Sequence, residues 1–164
     1  MNSNEYLSII NGAILTDLIV IILILSNYVK SKSVIKWYRK FNMLAFMLDV
    51  LSIALVVIIA KNIYHKIFDK YLFIYFLILV ILIQLTHDSL FGMLIYNFPK
   101  DKNQIIDVFK EYTNELSYSI LFIDALMMTS TVLISSFLVT KSFDTNIKLF
   151  LFCLYLSPYL LFSI

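Results

Sequence analysis

Four long apolar runs each carry a single aspartate, Asp17, Asp49, Asp88 and Asp124, and no lysine or arginine lies in any of them to neutralise it. A helix crosses a bilayer with about 20 apolar residues, and the runs Ile9–Tyr28, Phe41–Ala60, Tyr71–Tyr96 and Leu116–Val139 reach that length. An ionisable side chain inside lipid is costly and turns toward the bundle interior or a partner. The cost does not prevent insertion. A central Asp adds about 2.5–3.5 kcal/mol, while a dozen Leu, Ile, Phe or Val residues return about 0.3–0.6 kcal/mol each. Four helices that turn their acids toward one another are therefore expected.

With 61% hydrophobic residues and a mean hydropathy of +0.88, the chain lies far outside the range of soluble domains, at about 45–50%. Short links use up nearly everything between the runs, which leaves no room for a soluble catalytic domain. The expectation is an all-α polytopic membrane helix bundle forming one integral membrane domain over residues 1–164. A fifth run, 147–164, is short and contains Pro158, and is expected to be a kinked span or to lie partly in the interface. Glu5 ahead of the first run, Asp17 inside it and the lack of a small-residue cleavage site after it argue against a cleavable signal.

The link after the first run holds Lys30, Lys32, Lys36, Arg39 and Lys40 with no acid, and this places it on the cytoplasmic side and the N-terminus outside. The formal charge of the whole chain is only +2, so these cations read as a topology signal and nucleic acid is not an expected partner. Trp37, Tyr38, Tyr64 and Tyr71 stand at run ends and are read as interface markers. Between Pro99 and Ser117, the residues Ile105, Phe109, Tyr112 and Leu116 recur at helical spacing, with Asp107, Lys110, Glu111 and Glu115 on other faces. That pattern predicts a short amphipathic helix lying on the membrane surface.

The acids also hint at a repeat. Asp17 and Asp88 enter from one side, Asp49 and Asp124 occupy the partner helices, and the separations are 32 and 36 residues. Two helical hairpins related by an axis along the membrane normal would give this arrangement.

The polar neighbours of the acids predict one shared layer. Ala13, Thr16 and Asp17 form the inward face of the first run; Asn42, Ala45, Asp49 and Ser52 that of the second. Gln84, His87, Asp88 and Gly92 lie on one side of the third, and Ser117, Asp124, Thr131 and Ser135 on one side of the fourth. Such a layer can fix the bundle's register through hydrogen bonds of Asp17, Asp49, Gln84, His87, Asp88 and Asp124 across helices, or it can carry protons or cations. Enzyme chemistry lacks its signatures. The only glycines, Gly12 and Gly92, adjoin no acid, His65 and His87 are not arranged as a zinc-hydrolase pair, and Cys153 is a lone cysteine. No catalytic residue, metal or cofactor is expected.

The stretch Gln84-Leu85-Thr86-His87-Asp88-Ser89-Leu90-Phe91, followed by Pro99, Asn103, Asp107-Val108-Phe109-Lys110-Glu111-Tyr112 and Asp124-Ala125-Leu126-Met127-Met128, resembles small multi-span membrane proteins of nucleocytoplasmic large DNA viruses. The resemblance implies a viral membrane protein of a virion or host internal membrane, and it assigns no catalytic role to any residue. The expected partners are the lipid bilayer and either further copies of the chain or other virion proteins.

Overall fold

The computed structural model describes residues 1–164 and contains seven helices and no strand: α1 Ser3–Leu25, α2 Lys32–Phe41, α3 Met43–Ile67, α4 Phe73–Asn97, α5 Gln104–Leu116, α6 Ser119–Leu138 and α7 Phe143–Leu161. Four of them, α1, α3, α4 and α6, are long and apolar enough to cross a membrane.

Local chemistry sets the helix ends. α1 starts six residues before the run first read there, because Asn2 and Glu5 form a capping box: Asn2 Oδ1 accepts from Glu5 N–H and Glu5 Oε2 from Asn2 N–H, both at 2.9 Å. It ends at Leu25, short of the expected Tyr28. α3 continues to Ile67, seven residues beyond Ala60, and closes on α4 through Tyr64. That buried phenol accepts from Leu72 N–H at 2.9 Å and reaches the Lys70 carbonyl at 3.1 Å. α5 is the amphipathic helix expected between Pro99 and Ser117, started by Asn103, whose side chain caps the N–H groups of Ile105 and Ile106. α2 corrects the reading of the basic link as a loop. Ser31 caps it, and Val34, Trp37, Tyr38 and Phe41 line its inner side.

Direction follows from which ends meet. Asn4 donates to the carbonyls of Val139 and Lys141, and Lys61 pairs with Glu5 at 3.2 Å, so the start of α1, the end of α3 and the end of α6 share one end of the bundle. At the other end, here the cap end, Arg39 donates to Ile164 O and Ser157 contacts Met43. α1, α4 and α7 therefore run toward the cap end and α3 and α6 run back, with α2 and α5 lying together across the cap.

α7 runs the full height beside α1, although Asp144, Asn146 and Lys148 in its first turns keep it out of the set long and apolar enough to cross. Pro158 sits inside its last turn. The Leu154 carbonyl that proline leaves without a backbone donor is satisfied by Ser157 Oγ at 3.0 Å.

The two halves α1–α2–α3 and α4–α5–α6 repeat one design, a long helix, an amphipathic helix and a long helix running back. The backbone turns from the second to the third element at Asn42 (φ 45°, ψ −122°) and at Ser117 (φ 49°, ψ −130°). Asp49 and Asp124 both stand seven residues after that turn, and Trp37 and Tyr112 both stand five residues before it.

α1 is the centre: 61% of its apolar stretch is buried, against 17% for α4. It packs on α3, α6 and α7. Gly12 permits the closest approach, since a Cβ there would stand 2.9 Å from the Thr131 carbonyl and 3.2 Å from Ser135 Cβ. Gly12→Ala gains helix propensity of up to about 1 kcal/mol but pushes α1 off the α6 backbone, a strain of about 1–3 kcal/mol. Gly92 has nothing within 4 Å of its would-be Cβ. Unfolding in detergent should show Gly12→Ala destabilised and Gly92→Ala unchanged or stabilised; equal effects would contradict this packing.

Candidate functional site

α2 and α5 lie over the acids, and in the first half each acid receives an aromatic donor. The Tyr38 hydroxyl donates to Asp17 Oδ1 at 2.6 Å and Trp37 Nε1 donates to Asp49 Oδ2 at 2.8 Å. Asp17 is fully buried, and Tyr38 lies between it and Asp49. Burial, with Asp17 and Asp49 beside it, holds the Tyr38 phenol well above its usual range, so it remains a donor at every physiological pH.

The second half is built differently. Gln84 Nε2 donates to Asp88 Oδ1 at 2.7 Å, and His87 Nδ1 lies 3.2 Å from the same oxygen. Asp124 faces Asp88 across the α4–α6 contact. One proton between two such carboxyls converts repulsion into a hydrogen bond. Tyr112 stands among Asp124, Asp49 and Asp88, and burial pushes its phenol up, with the three acids adding to the effect.

Sequence reasoning placed all four acids in one layer; the structure brings them together as two pairs, Asp17–Asp49 and Asp88–Asp124, with Asp49 the nearest link between them. Gln84 and His87 both meet Asp88, but His87 is 43% exposed. Ser52 and Ser117 are exposed and leave the inward stripes proposed for them, whereas Thr131 and Ser135 are buried against α1. No three His, Cys, Asp or Glu side chains are close enough together to hold a metal ion.

Trp37 and Tyr38 are more than interface markers. Their signal was present in the apolar spacing of Val34, Trp37, Tyr38 and Phe41 within the lysine-rich link. Asn4, Asn11 and Asn146 were also missed, whereas Thr16 and Thr131 take the inward places expected of them. Asn11 donates to Asn146 O at 2.8 Å, Asn146 donates to Asn4 Oδ1 and Leu138 O, and Thr131 donates to Thr16 at 3.0 Å. These bonds tie α1 to α7 and α6.

Beside Asp88 the cap leaves a cleft of about 400 Å³, lined by Asp88, Thr113, Ser117, Tyr118, Ile120 and Leu121 and open at its outer side. Beside Asp17 the Tyr38 phenol is itself buried, at 2% exposure.

α5 also fastens α2. Glu115 accepts from the N–H groups of Lys32 and Ser33 at 2.8 and 2.7 Å, Lys36 pairs with Glu111 at 2.6 Å, and Trp37 packs on Phe109 with ring centroids 4.8 Å apart.

No protein-family model, curated protein or solved structure matches the chain, so its function is argued from this geometry.

The Ser33 hydroxyl and N–H groups around it hold the Glu115 carboxyl down at about 2, against an ordinary 4.5. A depressed carboxyl stabilises the fold fully above its unfolded value and loses that contribution as pH falls through its folded value. The α2–α5 contact should therefore loosen between pH 4.5 and about 2, seen as a red shift of emission from the single tryptophan, Trp37. Glu115→Gln should remove most of that pH dependence; an identical titration in both proteins would contradict the assignment.

Proposed function

We propose that the chain is a polytopic integral membrane protein with an architectural role and no enzymatic activity. Its bilayer is that of a virion or of a host-derived internal membrane. The observation that carries the architectural reading is the pattern on α1: Asn11, Thr16 and Asp17 each end on a different neighbouring element, α7, α6 and α2. Side chains used in this way fix which helices meet and in what register, each bond contributing about 0.6–1.7 kcal/mol inside a membrane. The resemblance of residues 84–128 to small membrane proteins of large DNA viruses supports the viral setting. Exposed Leu, Ile, Phe and Met side chains along α3, α4 and α6 are suited to lipid or to neighbouring membrane proteins, including further copies of this chain.

A second reading, a small proton or cation transporter, is favoured by one observation: Asp88 lines a cleft that is open on one side and faces Asp124 on the other. Against it, Asp17 in the other half is fully buried beneath the Tyr38 phenol that donates to it.

Asp88→Asn separates the two. An amide keeps the size and most of the hydrogen bonding of a protonated acid but cannot titrate. In liposomes, wild type and variant should both show proton and potassium flux no greater than protein-free vesicles, with equal folding stability. Wild-type flux that disappears in Asp88→Asn would overturn the architectural reading.

A further inference from the structure

The outer sides of the two amphipathic helices carry opposite charge. Lys32, Lys36, Arg39 and Lys40 lie on the exposed side of α2 at helical spacing, Lys30 stands just before it, and no acid occurs between Asp17 and Asp49. Counted from the Ser117 turn as from the Asn42 turn, the corresponding residues of α5 are Asp107, Glu111, Asn114 and Glu115. Joining the two helices does not account for the basic stripe. Only Lys36 pairs with an acid of α5, Glu111, while Arg39 is turned to the Ile164 carbonyl. Glu115 is occupied by the backbone N–H groups of Lys32 and Ser33, and the ammonium groups of Lys30, Lys32 and Lys40 form no ion pair. The level of this stripe is marked independently. α2 lies between the ends of two spans, α1 and α3, and Arg39 ties it to the end of α7, whose last turns expose Tyr155 and Tyr159 at 67% and 59%. Tyrosines exposed on a membrane helix favour the headgroup level.

We infer that the outer side of α2 is a docking surface for anionic lipid headgroups, with Lys30, Lys32 and Lys40 as the contacts, an inference that rests on the polytopic membrane reading above. Charge selects the partner. A phosphodiester headgroup without an amine leaves its negative charge open to the ammonium groups, whereas a zwitterionic headgroup brings its own cation to the same place. The flexible lysine stems can lie along apolar surface while their ammonium groups stay in the headgroup layer. Each Lys or Arg close to an anionic leaflet strengthens binding by about fivefold at moderate salt. On the α5 side the same headgroups meet Asp107, Glu111 and Glu115, so anionic lipid collects along one half of the cap and not the other. The repeated backbone design thus presents two faces of unlike charge to the same leaflet.

Native mass spectrometry of the full chain in detergent, titrated with phosphatidylglycerol or with phosphatidylcholine of the same acyl chains, tests this directly. The first phosphatidylglycerol should bind more tightly than the first phosphatidylcholine. The double variant Lys32→Gln/Lys40→Gln should weaken phosphatidylglycerol binding by about fivefold for each charge removed, with phosphatidylcholine binding and Trp37 emission unchanged. Lys100→Gln/Lys102→Gln, which takes the same charge from the α5 half, should leave both affinities as they are. Equal affinity for the two lipids, or an equal loss in the two double variants, would overturn the surface. Flotation with vesicles and resistance to carbonate extraction check the membrane reading separately: a chain that fails them overturns both, whereas an inserted chain without lipid preference overturns the surface alone.

Discussion

A helix that carries Asn4, Ser8, Asn11, Thr16 and Asp17 cannot stand alone in an apolar surrounding, and the rest of the fold is the set of elements that answers those side chains. A buried polar group without a partner costs several times what a satisfied one contributes, so each of these positions demands a neighbour. α7 answers Asn4, Ser8 and Asn11 through Asn146, α6 answers Thr16 through Thr131, and α2 answers Asp17 through Tyr38. Gly12 lets α6 come near enough to do so.

The comparison of the two halves makes the same point from the other side. At the positions of α4 that correspond to Asn4, Ser8 and Asn11, counting from Asp88 as from Asp17, the chain has Tyr75, Leu79 and Leu82. These are suited to lipid and need no cover. α7 accordingly packs chiefly on α1, and α4 remains largely exposed where α1 is the core of the molecule. The asymmetry is thus a matter of polarity, within a backbone design that repeats closely enough to reproduce an uncommon turn conformation at Asn42 and Ser117.

Much of this architecture was legible in the residues. The four long helices followed from apolar length, α5 from the spacing of Ile105, Phe109, Tyr112 and Leu116, and the two-hairpin pattern from the placement of the acids. α2 was obscured because four cations among its ten residues dominate its composition, although Val34, Trp37, Tyr38 and Phe41 lie on one helical side. The aromatic cover over the first pair of acids was not legible. It depends on whether the residue four before each turn is large enough to reach an aspartate, as Tyr38 is, and that correspondence emerges only once Asn42 and Ser117 are seen to be equivalent. Likewise the reach of α1 back to Ser3 rests on the reciprocal bonds of Asn2 and Glu5, a local event that apolar run length does not register.

The central claim is that a buried carboxyl of α1 is a structural acceptor that holds the cap. A double-mutant cycle between Asp17→Leu and Tyr38→Phe, read by reversible unfolding in detergent, measures that link alone. The account predicts a favourable coupling on the order of 0.6–1.7 kcal/mol, the range of interhelical hydrogen bonds in membranes. Additive effects of the two substitutions, with no coupling between them, would contradict it.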